Sequence, residues 1–344
     1  MSLGFEVVLI GRSLPGSLSI NKPYATHRMS LLFKTGPLFY AEYNLRLFFY
    51  LLFHRSHLLL SNDLDTLPAN FLVHKLKNIP IVYDSHEYYT GTPELVDRHV
   101  VRKFWKSIER YIFPKLKEII TVNNSIASLY EQEYGKKIFV VRNVPRKLEE
   151  KRITAPSHIL DYSNKHLIIL QGAGINIQRG AEEAVLAMKY IENAVLLIIG
   201  GGDVIDSLKQ ITTNENLSHK VVFIPRQPYH DLMAYTAAAD VGLTLDKDTN
   251  INYRFSLPNK LFDYIHAGTP VLASSLPEIK KIIEQYEIGL LIDNHDPEHI
   301  ASRIRFMLEN NFKEKLKENL KKAASELNWE NEEETLKLVY TKYV

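Results

Sequence analysis

The 344-residue chain contains no cysteine. A disulfide framework, a thiolate-held metal and a thiol nucleophile are therefore excluded, and a reducing cytoplasm is the expected setting. No long apolar run is present either. The most apolar window, Leu45 to Phe53, is nine residues long and holds Arg46, whereas a bilayer span takes about 20. That window is expected to be a buried or interfacial helix. The dinucleotide fingerprint G-x-G-x-x-G is missing too: Gly172 and Gly174 are in place, but Ile177 stands where the third glycine would be. A nicotinamide oxidoreductase is disfavoured on that ground. The Asp-x-Asp string Asp63-Leu64-Asp65 is expected to open a helix, and neither a metal nor another cofactor is expected. No nucleic-acid motif, internal repeat or low-complexity tract is found.

Charge of one sign is also lacking overall, with 42 Lys+Arg against 40 Asp+Glu. Its distribution is uneven. Residues 1–150 carry 20 basic against 14 acidic side chains, a net of +6, and the remainder 22 against 26, a net of −4. A basic first half suggests an anionic surface or ligand on that side. The length calls for two domains. The pattern divides them as 1–150, a charged aperiodic linker 151–165, a second domain 166–330, and a tail 331–344 expected to cross back to the first.

Apolar runs bounded by turn residues alternate with helical patterns through both halves, the signature of parallel α/β sheets. In the first half, strands are expected at Gly4–Gly11, 27–33, 58–60, 79–83, 119–122 and 138–141. Asp63 is the expected N-cap of a helix ending near Lys77. A basic amphipathic helix over 102–117 carries Lys103, Lys106 and Arg110 against one acid, Glu109. Such a face suits an anionic membrane surface or a solvated exterior. In the second half, Leu167–Leu170 runs into the turn Gly172–Gly174, and Arg179 precedes the next helix. The glycines permit close approach of a ligand, and a guanidinium fork suits phosphate oxygens.

The stretch around which the chain is organised is Ser256-Leu257-Pro258-Asn259-Lys260, continuing through Asp263 to Gly268 and the strand after Pro270. Ser256 is expected to cap a short helix, Gly268 to end it. A helix N-terminus with Lys260 beside it favours an anion such as a diphosphate. Asp263, one turn on, offers a carboxylate for a pair of ribose hydroxyls.

This text resembles the nucleotide-sugar motif of retaining GT-B glycosyltransferases of the family 4 type, in the variant S-L-P-N-K-x-F-E-Y-x-x-A-G-x-P-V. Further matches are Asn62-Asp63-Leu64-Asp65-Thr66-Leu67-Pro68, Val82-Tyr83-Asp84-Ser85-His86-Glu87 and Arg142-Asn143-Val144-Pro145. The resemblance implies two Rossmann-like, doubly wound domains facing across a cleft. It implies transfer of a sugar from a nucleotide diphosphate donor to a glycan or lipid-linked acceptor, with retention of configuration. His86 would contact the donor sugar near its anomeric carbon, and Arg179 and Lys260 would stabilise the departing diphosphate. Gly172, Gly174, Arg226, Ser256, Leu257, Pro258, Asn259 and Asp263 would hold the donor, Arg226 on the base side. Asp263 takes the place of the second Glu of the family's E-x7-E motif. The first Glu is replaced by Phe255, which keeps open a catalytically silent nucleotide-sugar-binding subunit, alongside a nucleotide-sugar epimerase of the same fold. Localisation is expected to be cytoplasmic, with peripheral attachment to the inner membrane face as an option. Proteins of this type carry about thirty residues before the strand at Gly4–Gly11, a βα unit. That unit is expected to be missing, and either the strand pairs with those near Leu58 and Ile81 instead or another chain supplies the edge.

Overall fold

The computed structural model describes residues 3–14, 17, 20–147, 162 and 164–344. The chain divides into two compact units. The first comprises Met1–Arg142 with Glu333–Val344, the second Asn143–Glu332. The expected linker 151–165 falls largely outside the described residues.

The first unit holds two parallel sheets. Strands β1 (Val8–Ser13) and β2 (Ala25–Ser30) pair in register from Val8↔Ala25 to Ser13↔Ser30. Strands β3 (Leu59–Asn62), β4 (Ile81–Ser85), β5 (Glu118–Thr121) and β6 (Phe139–Val140) form the other, in sequence order. The expected pairing of Gly4–Gly11 with the strands near Leu58 and Ile81 is therefore corrected. The strand starts later, at Val8, and β2 takes its hydrogen bonds. β2 in turn stops before Leu32 and Phe33 because their N–H groups donate to the Glu42 carboxylate at 2.9 and 3.0 Å.

Helices α1 (Gly36–Phe53), α2 (Leu67–Lys77), α3 (Pro93–Val96), α4 (His99–Ile112) and α5 (Asn124–Tyr134) accompany these strands. Asp63 does not cap α2, whose N-cap is Thr66. Asp63 instead sits in the left-handed region, φ 57°, where its Oδ1 accepts the His86 N–H at 2.9 Å. The expected single helix over 102–117 is also revised. α4 ends at Ile112, and a 3-10 turn through Pro114 follows, since proline cannot continue the ladder. Lys106 does not face outward. It lies 2.5 Å from both Glu109, which is fully buried, and Glu133.

The second unit is one six-stranded parallel sheet in the order β12-β11-β10-β7-β8-β9. Its strands are β7 (His166–Gly172), β8 (Ala194–Gly200), β9 (Val221–Ile224), β10 (Val241–Thr244), β11 (Val271–Ser274) and β12 (Gly289–Ile292). Each is a nearly unbroken apolar run because helices cover both faces. Ile168, Leu170, Leu196 and Ile198 enter one core, and Leu167, Ile169, Val195 and Leu197 the other. The helices are α6 (Ala181–Ala187), α7 (Ile205–Asn214), α8 (Tyr229–Ala238), α9 (Ile251–Arg254), α10 (Asn259–Ala267), α11 (Pro277–Tyr286), α12 (Pro297–Glu309), α13 (Phe312–Lys315) and α14 (Lys317–Glu326); α15 (Trp329–Tyr340) closes the chain. Strand order reverses between β7 and β10. Open α/β sheets bind ligands at the carboxyl ends of strands flanking such a reversal.

Candidate functional site

The loops leaving β7 and β10 and the start of α10 meet at this edge of the second unit. α10 is fixed from beneath. Tyr264 donates its hydroxyl to the Leu243 carbonyl at 3.0 Å, and a Cβ on Gly242 would lie 2.6 Å from its ring. Glycine at 242 thus lets the helix sit close on the sheet. Gly268 ends α10 at φ 73°, as expected. Ser256 does not cap it. Pro258 occupies the N-cap with extended backbone, no side chain caps the first turn, and Ser256 Oγ is buried without a hydrogen-bond partner. The first turn of α10 is left open to another acceptor.

Lys260 and Arg179 converge on Asp246, the residue after Leu245 at the end of β10. Arg179 Nη1 lies 3.4 Å and Lys260 Nζ 4.0 Å from Asp246 Oδ1. Asp246 is 0% exposed, and the Lys260 side chain 11%. Asp246 Oδ2 and Arg179 Nε are buried without partners. Two cations therefore share one carboxylate through long contacts, a cluster with surplus positive charge and unused hydrogen-bonding capacity. Burial depresses the Lys260 pKa, Asp246 opposes the fall, and Arg179 adds to it.

The loop after β10 is tied to the loop after β7. Lys247 N–H donates to the Gln178 carbonyl at 2.9 Å, Thr249 Oγ1 to Gln178 Oε1 at 2.6 Å, and Lys247 Nζ to Glu183 at 2.5 Å. The Arg179 guanidinium lies over the Tyr253 ring, 4.8 Å from its centroid. Gly180, at φ 73°, passes so near that a Cβ there would be 2.3 Å from the Leu245 carbonyl oxygen. Gly200 and Gly202 are likewise demanded by backbone contact with Gly172 and Ile175. Gly172 and Gly174 are different. A Cβ on either would meet its neighbours at 3.7 Å or more, an ordinary contact, so nothing in the protein itself needs glycine there.

Asp263 is 9% exposed. Its Oδ2 accepts from Gln171 Nε2 at 3.1 Å and its Oδ1 from the Tyr229 hydroxyl at 3.0 Å, while Thr236 donates to Gln171 Oε1 at 2.6 Å. Burial raises its pKa despite these two donors. Arg226 donates to the Ala173 carbonyl at 2.8 Å and lies alongside Gly201, so it braces the glycine turn. Leu257 packs against the core. Of the expected residues, all but His86 gather at this edge of the second unit. His86 belongs to the first unit, at the end of β4. There Nε2 lies 3.5 Å from Asp84, which raises the imidazole pKa. Nearby, burial and neighbouring acids push Glu87 up to about 7 and Asp65 to about 6. Asp246, Gln171, Tyr229 and Tyr253 were not singled out in the sequence. Asp246 and Gln171 carried a signal, as polar residues at a strand's carboxyl end. Among the described residues no group of three His, Asp or Glu is placed to hold a metal ion.

Two family models match the chain. The family described as "Glycosyl transferases group 1" matches residues 159–327, and "Glycosyltransferase Family 4" matches residues 1–144. An uncharacterized glycosyltransferase of Methanocaldococcus jannaschii is 28% identical over 187 residues, covering 53% of this chain and 46% of that protein. The chain thus spans about half the length of this curated relative. Among solved structures, sucrose-phosphate synthase from Thermosynechococcus elongatus superposes with a TM-score of 0.77 at 18% identity, over 99% of this chain and 90% of that one. Anabaena HepE in complex with UDP-glucose gives 0.71 at 14% identity, over 92% and 85%. Such likeness shows a shared GT-B fold.

Proposed function

The chain belongs to the group 1, family 4 glycosyltransferases, and from that premise we propose that it transfers a sugar from a nucleoside diphosphate donor, with retention of configuration, to a glycan or lipid-linked acceptor. The observation that carries this reading is the buried Arg179–Asp246–Lys260 cluster beside the uncapped start of α10. A departing diphosphate develops negative charge, and preorganised cations in a dry site stabilise it where it forms. Arg179 and Lys260 take the phosphate oxygens, with the N–H groups of the first turn of α10. Gly172 and Gly174 let the chain approach the donor, and Asp263 with its Gln171 support accepts the ribose hydroxyls. His86 contacts the sugar. The cations do the work a metal ion would do on the leaving group. The setting is the cytoplasm, peripheral to the inner membrane face.

UDP-glucose is the first donor to try, since the neighbour HepE holds it. The test is UDP release from UDP-glucose and other nucleotide sugars, with and without glycan acceptors, alongside donor affinity by calorimetry. Lys260→Ala should weaken UDP binding by about 1.5–3 kcal/mol, the worth of charge-assisted contacts. Unchanged affinity would remove Lys260 from the site. Binding without release would identify a silent subunit, and donor conversion without UDP release an epimerase.

A further inference from the structure

The outer sides of three neighbouring helices in the first unit are apolar. α1 turns Tyr43, Leu47 and Leu51 into the core. Leu38, Leu45, Phe49 and Phe53 fall on its opposite side at helical spacing, and all four are exposed, Phe53 to 78%. Phe49 and Phe53 stack with centroids 6.3 Å apart. α2 runs alongside and ends level with α1, because Lys77 donates to the carbonyls of Leu51, Leu52 and His54 at 3.3, 3.1 and 2.9 Å. Leu72 and Leu76, one turn apart on α2, are exposed as well. α4 joins through the edge-to-face rings of Phe71 and Tyr111, 6.3 Å apart. It exposes Val100, Phe104 and Tyr111, again on one side. Nine large apolar side chains on three packed helices exceed the scatter normal for a water-facing surface.

The charges around them are basic. Arg46, Lys75, Lys103 and Lys115 are exposed on the same helices or just beyond. The two acids on these helices are taken up elsewhere, Glu42 by Arg46 at 2.7 Å and the N–H groups of Leu32 and Phe33, and Glu109 in the interior against Lys106; Glu94 and Asp97 before α4 are exposed. Among the described residues no helix is long and apolar enough to cross a membrane. An apolar centre with a basic fringe matches a bilayer's headgroup boundary carrying anionic lipid. A second copy of this chain would set two basic fringes against each other.

We propose that the α1–α2–α4 face docks on an anionic lipid bilayer, with the α1 aromatics at the centre of the contact. This surface does not depend on the donor site, and it replaces the expectation that the basic helix alone meets the membrane. The test is co-sedimentation of the full chain with vesicles of phosphatidylcholine containing about 30% phosphatidylglycerol, against phosphatidylcholine alone, at low and high salt. Binding to the anionic vesicles should be at least tenfold stronger and weaken with salt. Phe49→Ser with Phe53→Ser, and separately Lys75→Glu with Lys103→Glu, should each reduce it at least tenfold. All four side chains are exposed, so an unchanged melting temperature verifies the fold. Wild-type protein left in the supernatant at low salt would overturn the proposal. So would variants that bind like wild type, or a dimer in light scattering that Phe49→Ser with Phe53→Ser dissociates.

Discussion

Replacing Asp246 with Asn tests whether one buried carboxylate keeps the cation pair charged. The substitution keeps shape and removes the single negative charge facing Lys260, leaving Arg179 as its only close charged neighbour. At 4.0 Å and an effective dielectric of about 20, the lost attraction is about 4 kcal/mol. Burial already favours neutral Lys260, so the amine should lose its proton at a lower pH in the variant. Diphosphate binding by Lys260 needs the ammonium form. Affinity for UDP should therefore fall off on the alkaline side in both proteins, and in Asp246→Asn the fall should begin more than one pH unit earlier, since one unit corresponds to about 1.4 kcal/mol.

The assay is titration calorimetry with UDP between pH 6 and 9.5, with melting temperatures taken at each pH. The difference between the variant and wild type should narrow toward pH 6, since lower pH favours the ammonium form in both. Adding Lys260→Arg to Asp246→Asn should flatten the profile, as guanidinium does not deprotonate in this range. A loss of affinity that is the same at every pH would refute the argument, as would tighter binding throughout. The first would make Asp246 a packing residue, the second a competitor of the diphosphate.

Other outcomes follow from the same geometry. Glu87→Gln should stabilise the protein at pH 8 by about 1–2 kcal/mol after allowance for solvent screening. A carboxyl raised from 4.5 to about 7 gives stability that is full below pH 4.5 and lost as pH rises to 7, so the gain should shrink toward pH 4.5 in thermal melts. Gly180→Ala should lower the melting temperature by several degrees, because φ 73° and a 2.3 Å approach to the Leu245 carbonyl leave no room for a Cβ; an unchanged melt would contradict the tight crossing of the two loops.

How far the sequence could be read depends on how local each signal is. Strands β7 and β11 of the second sheet were legible because burial on both faces makes each a continuous apolar run. Gly268 was legible because a helix ending in the left-handed region favours glycine. Ser256 misled because its cap chemistry is generic, and proline two residues on takes the N-cap backbone instead. β1 was placed four residues early, since Phe5 reads as strand but packs its ring against Tyr340 of the tail, 6.0 Å away, a contact with no local trace. Lys106 was placed outside by helical counting, although one of its two acids, Glu133, is 27 residues away.

The same limit explains why Asp246 was not singled out. His86 and Asp246 both stand at the carboxyl end of a buried parallel strand, yet only His86 sat in a recognisable string. Asp246 has meaning through Arg179, 67 residues earlier, and through Lys260, across a loop that must first fold back. A lone acid after an apolar run is, on sequence, a turn residue. What turns it into part of a site is the reversal of strand order between β7 and β10, which sets the ends of those two strands side by side. A rule that paired polar residues at the ends of strands flanking such a reversal would have set Asp246 beside Gln171, the polar residue near the end of β7. Asp263 meets Gln171 through the same reversal, since α10 starts over that edge of the sheet.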